Sequence, residues 1–176
     1  MKVSNRMDLE SYLRPLYQDL DGVDRFDAVQ RVARLARRLY TPPAGEARAF
    51  ELLLLVHGLG RWLEKMGNLS RTSLAVDGLT EAELRQASAS VARLGSPETG
   101  AERALAAAIL IDNAGARGLA ERLSRARREG QSVSDVIRDA LADDERPEWL
   151  SAEALELVSA RRAKRREVCR AILEEA

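Results

Sequence analysis

Several residue types are scarce in this chain of 176 residues, and each scarcity excludes a class of protein. A single cysteine, Cys169, excludes an internal disulfide and a cysteine-based zinc site. A single histidine, His57, excludes a site built from several histidines. No run approaches the roughly 18 apolar residues of a membrane span, and the first residues lack the apolar core of a signal peptide. We therefore expect a soluble cytoplasmic protein that does not enter a membrane.

The charge is balanced, with 28 basic and 28 acidic residues, so no global field would recruit nucleic acid or an anionic membrane. Lysine is rare among the basic residues, and only Lys2, Lys65 and Lys164 are lysines. A basic run at residues 161–166 lies between glutamates, which is typical of a solvated helix face with ion pairs. A nucleic-acid partner is therefore not expected. The arginine bias fits a high-GC genome or a thermophile, and composition does not separate the two.

Apolar residues recur at helical spacing through most of the chain, and no stretch alternates long enough to indicate a strand. The spacing predicts a helix over about 9–20, a second helix capped by Asp24 with an apolar stripe from Phe26 to Leu39, and helices over about 46–66, 80–94 and 97–128. A short helix is expected to start at Ser132, followed by a polar link at 143–147 and a last helix over about 151–174. Thr80 and Glu83 have the spacing of a capping box, and Ser96-Pro97 also predicts a helix start. Gly115 and Gly118 are expected to loosen the long fifth helix. The fold class is thus all-α, a single compact bundle of about six to eight helices over residues 1–176, with 130–176 as a helical extension.

Within residues 51–62, an almost wholly apolar helical run ends in His57-Gly58, and Gly60-Arg61 follows at once. This run resembles the signature helix of the HD-domain superfamily of metal-dependent phosphohydrolases, in which adjacent His and Asp side chains bind a metal. Residues 24–36 resemble the first metal helix of that family, and residues 106–114 resemble the helix that supplies its last metal Asp. Residues 130–175 are similar to the helical tail of small bacterial HD proteins. The resemblance implies an HD-like domain from about Asp8 to the end of the chain.

The same resemblance implies that half of the metal ligands are missing. His57 and Asp112 stand at ligand positions, whereas Ala28 and Gly58 replace a His and an Asp and carry no donor atom. Asp24 stands where some family members carry a further His, so a rearranged site of Asp24, His57 and Asp112 is an alternative. The preferred interpretation is a core histidine, His57, that is hydrogen-bonded to Asp112.

These departures favour a catalytically inactive HD-like domain that acts as a ligand-binding or regulatory module in the remnant of the metal cleft. No catalytic residue and no cofactor are expected under this interpretation. One alternative is a phosphohydrolase that acts on a nucleotide or another phosphate ester through a weakly bound divalent metal. Another is a structural or partner-binding protein, with a homodimer as one form.

The last helix contains a second candidate site. Its apolar stripe of Leu155, Val158, Cys169 and Ile172 is interrupted by Arg162 and Arg165. If this helix packs on the core through that stripe, the two arginines line a cavity instead of facing water, and an anion-binding pocket is expected there. The buried stripe could equally run through Ala160 and Ala163. The expected partners are therefore a small anionic ligand or another protein.

Overall fold

The computed structural model describes residues 10, 11, 13–15, 17, 26–59 and 80–175. Within these residues all regular structure is helical and no strand occurs, which confirms the all-α prediction. None of the helices described is both long and apolar enough to cross a membrane. The chain divides into two compact units, Met1–Ala106 and Ala107–Ala176.

The first unit contains helical residues between positions 10 and 17, on both sides of Pro15. They are followed by α1 (Phe26–Leu39), α2 (Ala47–Val56), a 3₁₀ turn (His57–Leu59) and α3 (Glu81–Ala92). Helix α4 (Gly100–Ala114) begins in the first unit and ends in the second. The second unit continues with α5 (Ala116–Arg128), α6 (Val133–Ala142) and α7 (Ala152–Glu175).

Helix α2 is the centre of the first unit. Its last five residues are all buried, because α1 packs on one side of it and α3 on another. A core cluster joins these helices to the N-terminal helical segment, and it includes Leu13, Tyr17, Phe26, Val29, Leu52, Leu55, Val56, Leu59 and Ala87. At its edge, the Arg37 guanidinium of α1 donates to both carboxylate oxygens of Glu51 in α2, at 2.8 and 2.7 Å. This two-point contact fixes the register of α1 on α2.

Helices α3 and α4 each begin with a capping box. Thr80 and Glu83 form the predicted capping box, with the Glu83 amide donating to Thr80 Oγ1 at 3.2 Å. The prediction that Ser96 caps the next helix was wrong, because α4 begins only at Gly100. Thr99 is its cap and accepts from the Glu102 amide at 3.2 Å, while Glu102 accepts from the Thr99 amide at 3.1 Å. The two reciprocal bonds satisfy two amide donors at the start of α4.

The second unit is built from α5, α6 and α7, which pack on one another in all three pairings. Their shared core contains Leu119, Ile137, Ala140 and Cys169. Cys169 is fully buried, and this burial raises the pKa of its thiol, an effect that the positive charge of Arg165 partly opposes.

A sharp corner separates α4 from α5, in place of the loosened continuous helix that the glycines predicted. Gly115 is extended at this corner and stands at the N-cap position of α5. Gly118, in the first turn of α5, packs directly on the backbone of α4. A Cβ atom at Gly118 would lie only 2.0 Å from the Asn113 carbonyl oxygen. The corner therefore requires glycine at position 118.

We predict that Gly118→Ala lowers the free energy of unfolding by about 1–3 kcal/mol, because the added methyl group displaces backbone and not a flexible side chain. Urea denaturation followed by circular dichroism measures the loss. Gly115→Ser is the matched control at the same corner, since a Cβ there meets only Arg161 side-chain atoms, at 3.8 Å, and serine is a good cap. Equal stability of Gly118→Ala and wild type would contradict this account of the corner.

Candidate functional site

The first candidate site is the turn at the end of α2. The helix was predicted to run to about Met66, but it ends at Val56 and continues as a 3₁₀ turn over His57–Leu59; the rest of that prediction lies outside the described residues. The half-buried His57 ring places Nδ1 2.8 Å from the Leu54 carbonyl oxygen. Burial lowers the pKa of His57, and the contact with Leu54 opposes this only in part. The imidazole is therefore neutral at pH 7.

The space beside Gly58 is filled by Tyr17. A Cβ atom on Gly58 would lie 2.8 Å from Tyr17 Cε1 and 3.2 Å from Val29 Cγ2. The Tyr17 ring is fully buried, and its hydroxyl donates to the Leu55 carbonyl oxygen at 2.6 Å. Burial raises the pKa of the Tyr17 phenol, and a hydrogen bond from the Gly58 backbone opposes this effect. Tyr17 is thus locked against the turn by both packing and hydrogen bonds.

The residues that the HD resemblance selected are divided between the two units. A Cβ atom on Gly58 would lie 3.2 Å from Val29 Cγ2, and Ala28 is the residue before Val29 in α1. Asp24 lies outside the described residues. Asp112 belongs to the second unit, where it is nearly buried in α4. Its predicted hydrogen bond with His57 stays a prediction.

The residues at the turn do not fit the metal that the HD resemblance implies. Ala28 and Gly58 offer no donor atom, and the first atom of any longer side chain at Gly58 would collide with Tyr17. Within the described residues, no group of three or more His, Cys, Asp or Glu side chains is placed to hold a metal ion. We therefore derive no catalytic step through a metal here.

A second feature of the first unit is a groove of about 250 Å³ between α2, α3 and the start of α4. Its apolar lining comes from Ala49, Phe50, Leu52, Leu53, Ala87 and Ala101, and its polar lining from Glu46, Glu83, Gln86, Ser90, Arg93 and Thr99. Two of the three charged members of this lining, Glu83 and Arg93, are already engaged. Glu83 caps α3 and accepts from Arg48 at 2.6 Å, and Arg93 donates to Glu102 at 2.5 Å.

Glu102 is a fully buried carboxylate next to this groove. Besides the Arg93 guanidinium, the amides of Glu98 and Thr99 donate to it, at 2.9 and 3.1 Å. Burial raises the pKa of Glu102, but these three donors outweigh it and lower the pKa to about 2. The carboxylate therefore remains ionised at every pH at which the protein is expected to work.

The third candidate site lies in the second unit, where the described residues place three guanidinium groups around the Asp143 carboxylate. Arg122 of α5 donates to Oδ2 at 2.9 Å, Arg162 of α7 donates to Oδ1 at 2.9 Å, and Arg165 of α7 donates to Oδ2 at 3.1 Å. We call these four side chains the Asp143 cluster. The side chains of Arg162 and Arg165 are 3% and 0% exposed, so both predicted arginines are indeed on the buried face of α7.

The electrostatics of the Asp143 cluster follow from this crowding. Burial raises the pKa of Asp143, but the bond from Arg122 and the charges of Arg162 and Arg165 lower it below its ordinary range. Burial lowers the pKa of Arg165, Asp143 opposes that effect, and the charge of Arg122 adds to it.

Sequence reasoning selected Arg162 and Arg165 but missed Asp143 and Arg122. Asp143 belongs to none of the helices that the sequence predicts, and no spacing rule relates it to an arginine 19 or 22 residues later.

No protein-family model, curated protein or solved structure matches this chain.

We predict that Glu102→Gln destabilises the protein by about 1–3 kcal/mol at neutral pH, because the Arg93 guanidinium loses its buried anion. A carboxylate with a lowered pKa stabilises the folded state above its unfolded pKa of about 4.3, and this contribution disappears as the pH falls towards 2. Urea denaturation of both proteins at several pH values should therefore show the difference shrinking below about pH 4.3.

Glu98→Gln is the matched control, because its exposed carboxylate reaches the same arginine at 3.6 Å from the solvent side. We expect this variant to be within about 0.5 kcal/mol of wild type at all pH values. A Glu102→Gln penalty that stays constant down to pH 2 would show that the ionised carboxylate is not the source of the stabilisation.

Proposed function

We propose that this chain is a degenerate HD-type domain without metal-dependent phosphohydrolase activity, which acts as a ligand-binding or regulatory module. The observation that carries the proposal is the packing of Tyr17 against Gly58. In the HD superfamily the residue after the signature His is a metal-binding Asp. Here that position is Gly58, and the buried Tyr17 ring and the Val29 side chain lie where its side chain would begin.

The fixed position of Tyr17 supports this proposal. Its ring is fully buried, and its hydroxyl bonds to Leu55 in the helix that leads into the turn. A carboxylate at position 58 would have to displace a buried aromatic ring together with its hydrogen bond, at a cost of several kcal/mol. The turn is therefore stable in a form that excludes the missing ligand, as expected for a domain whose metal chemistry has been lost.

The state of His57 supports a role in binding a ligand. A carbonyl oxygen only accepts hydrogen bonds, so the contact with Leu54 places the proton of the neutral ring on Nδ1. Nε2 then carries the lone pair and can accept from an N–H or O–H group of a ligand. A neutral histidine in this tautomer therefore suits a ligand that presents a hydrogen-bond donor.

The first experiment is a metal analysis. We expect the purified protein to retain no stoichiometric metal after incubation with manganese, iron and magnesium and subsequent desalting, because two of the four expected ligands are Ala28 and Gly58. Elemental mass spectrometry measures the content, and a chelator should leave the melting temperature unchanged. Near-stoichiometric metal would overturn the proposal in favour of a rearranged phosphohydrolase site.

A second experiment tests the HD alignment itself. We predict that Ala28→His with Gly58→Asp introduces divalent-metal binding when Tyr17→Leu makes room for the new carboxylate. Isothermal titration with Mn²⁺ measures the gain, and Tyr17→Leu alone is the control that should bind none. A folded triple variant that takes up no divalent ion would contradict the correspondence of Ala28 and Gly58 with metal ligands.

A further inference from the structure

The Asp143 cluster carries more positive charge than its one carboxylate neutralises. Its three guanidinium groups are permanently protonated, and Asp143 supplies one negative charge among them. The next acidic residue, Asp144, does not compensate, because it pairs with Arg146 and Arg166, at 3.5 and 3.4 Å. The cluster therefore retains an excess of two positive charges, in surroundings where Arg162 and Arg165 are almost completely shielded from water.

The cluster also contains hydrogen-bond donors that Asp143 does not use. The Nε atoms of Arg162 and Arg165 are buried and have no hydrogen-bond partner within the described part of the chain. Buried donors without a partner are uncommon in proteins and often indicate a ligand or a functional role. A tetrahedral anion with four oxygen atoms offers more acceptor positions than a carboxylate. The donor excess and the charge excess thus favour the same kind of ligand.

The arginines of α7 are held in position without the Asp143 side chain. Arg162 Nη1 donates to the Glu145 carbonyl oxygen at 2.7 Å, and Arg165 Nη2 donates to the Asp143 carbonyl oxygen at 3.4 Å. Both acceptors are backbone atoms, so rotation of the Asp143 side chain would leave these contacts in place. The cluster is therefore preorganised for an anion that replaces the carboxylate.

The cluster is open to solvent on one side. The Arg122 side chain is 39% exposed and the Asp143 side chain is 18% exposed. Asp143 is the first residue after α6 and begins the non-helical connection to α7. A rotation about its side-chain bonds would move the carboxylate towards water. An incoming anion would then meet Arg122 first and the two buried guanidinium groups behind it.

We propose that Arg122, Arg162 and Arg165 form a binding site for a phosphate dianion, and that the Asp143 carboxylate is an internal competitor which the ligand displaces. A dianion fits better than a monoanion because it neutralises more of the excess charge. The shared chemistry is a phosphate group, either free or carried as a monoester by a small molecule. All groups involved lie in the second unit, so the proposal is independent of the function inferred from the turn at His57.

The test compares the affinity of the full chain for inorganic phosphate in wild type and in Asp143→Asn, at about pH 8, where phosphate groups carry close to two charges. Isothermal titration is performed at constant ionic strength with chloride as the balancing anion. We expect Asp143→Asn to bind phosphate at least about tenfold more tightly, because the competing carboxylate is gone. If both proteins bind phosphate equally and no more tightly than chloride, the proposal is overturned and the cluster is a purely structural ion pair network.

A second pair of variants keeps the test decisive if Asp143→Asn does not fold. Arg122→Gln removes the most exposed guanidinium of the site from wild type, and Arg117→Gln removes the same charge from the same helix at an exposed ion pair with Glu121. We expect phosphate binding at millimolar concentrations in wild type, a loss of about tenfold in Arg122→Gln and no change in Arg117→Gln. Absence of phosphate binding to wild type, or equal weakening by both variants, would contradict the site.

Adenosine monophosphate distinguishes the two sources of the phosphate group. Tighter binding of the nucleotide than of inorganic phosphate, with the same sensitivity to Arg122→Gln, would support a monoester ligand. Equal or weaker binding of the nucleotide would support free phosphate. Nucleotide binding that is insensitive to Arg122→Gln would count against the cluster as its site.

Discussion

Three helices of the second unit meet at a single carboxylate, that of Asp143. Arg122 comes from α5, Arg162 and Arg165 come from α7, and Asp143 itself ends α6. A buried arginine needs an anion or hydrogen-bond acceptors close to it, and Asp143 together with backbone carbonyl oxygens supplies some of them here. These contacts join α7 to the other two helices beside the small apolar core around Leu119 and Ile137.

The first unit also buries a polar side chain, but this side chain is paired with the backbone and not with a charged group. Its core at the end of α2 is closed by a polar side chain, Tyr17, whose hydroxyl bonds to the backbone that it covers. The absence of a side chain at Gly58 allows the ring to approach so closely. Under the proposed HD relationship, a single replacement of Asp by glycine at position 58 removes a metal ligand and also makes room for the Tyr17 ring. A position that once contributed chemistry would now contribute packing.

Most of the helices could be predicted from the sequence, because apolar spacing and capping residues act over a few positions. The apolar stripe from Phe26 to Leu39 coincides with α1, and the Thr80–Glu83 capping box is confirmed. The predicted cap at Asp24 lies outside the described residues. The start of α4 was missed, because Ser96-Pro97 and Thr99–Glu102 are both plausible starts and only the reciprocal bonds distinguish them. The spacing in α7 allowed two buried stripes, and the structure buries the one with Arg162 and Arg165 while Ala160 and Ala163 are exposed. Their partner could not be predicted, because contacts between separate helices obey no sequence spacing.

Cys169 has a practical consequence for the study of this protein. It is the only thiol of the chain, it is fully shielded in the core of the second unit, and its pKa is raised by burial. A thiol reagent can reach it only after that unit has opened, and deprotonation in the closed state is disfavoured. The rate of its chemical modification under native conditions thus reports the opening equilibrium of the second unit alone, without any introduced probe.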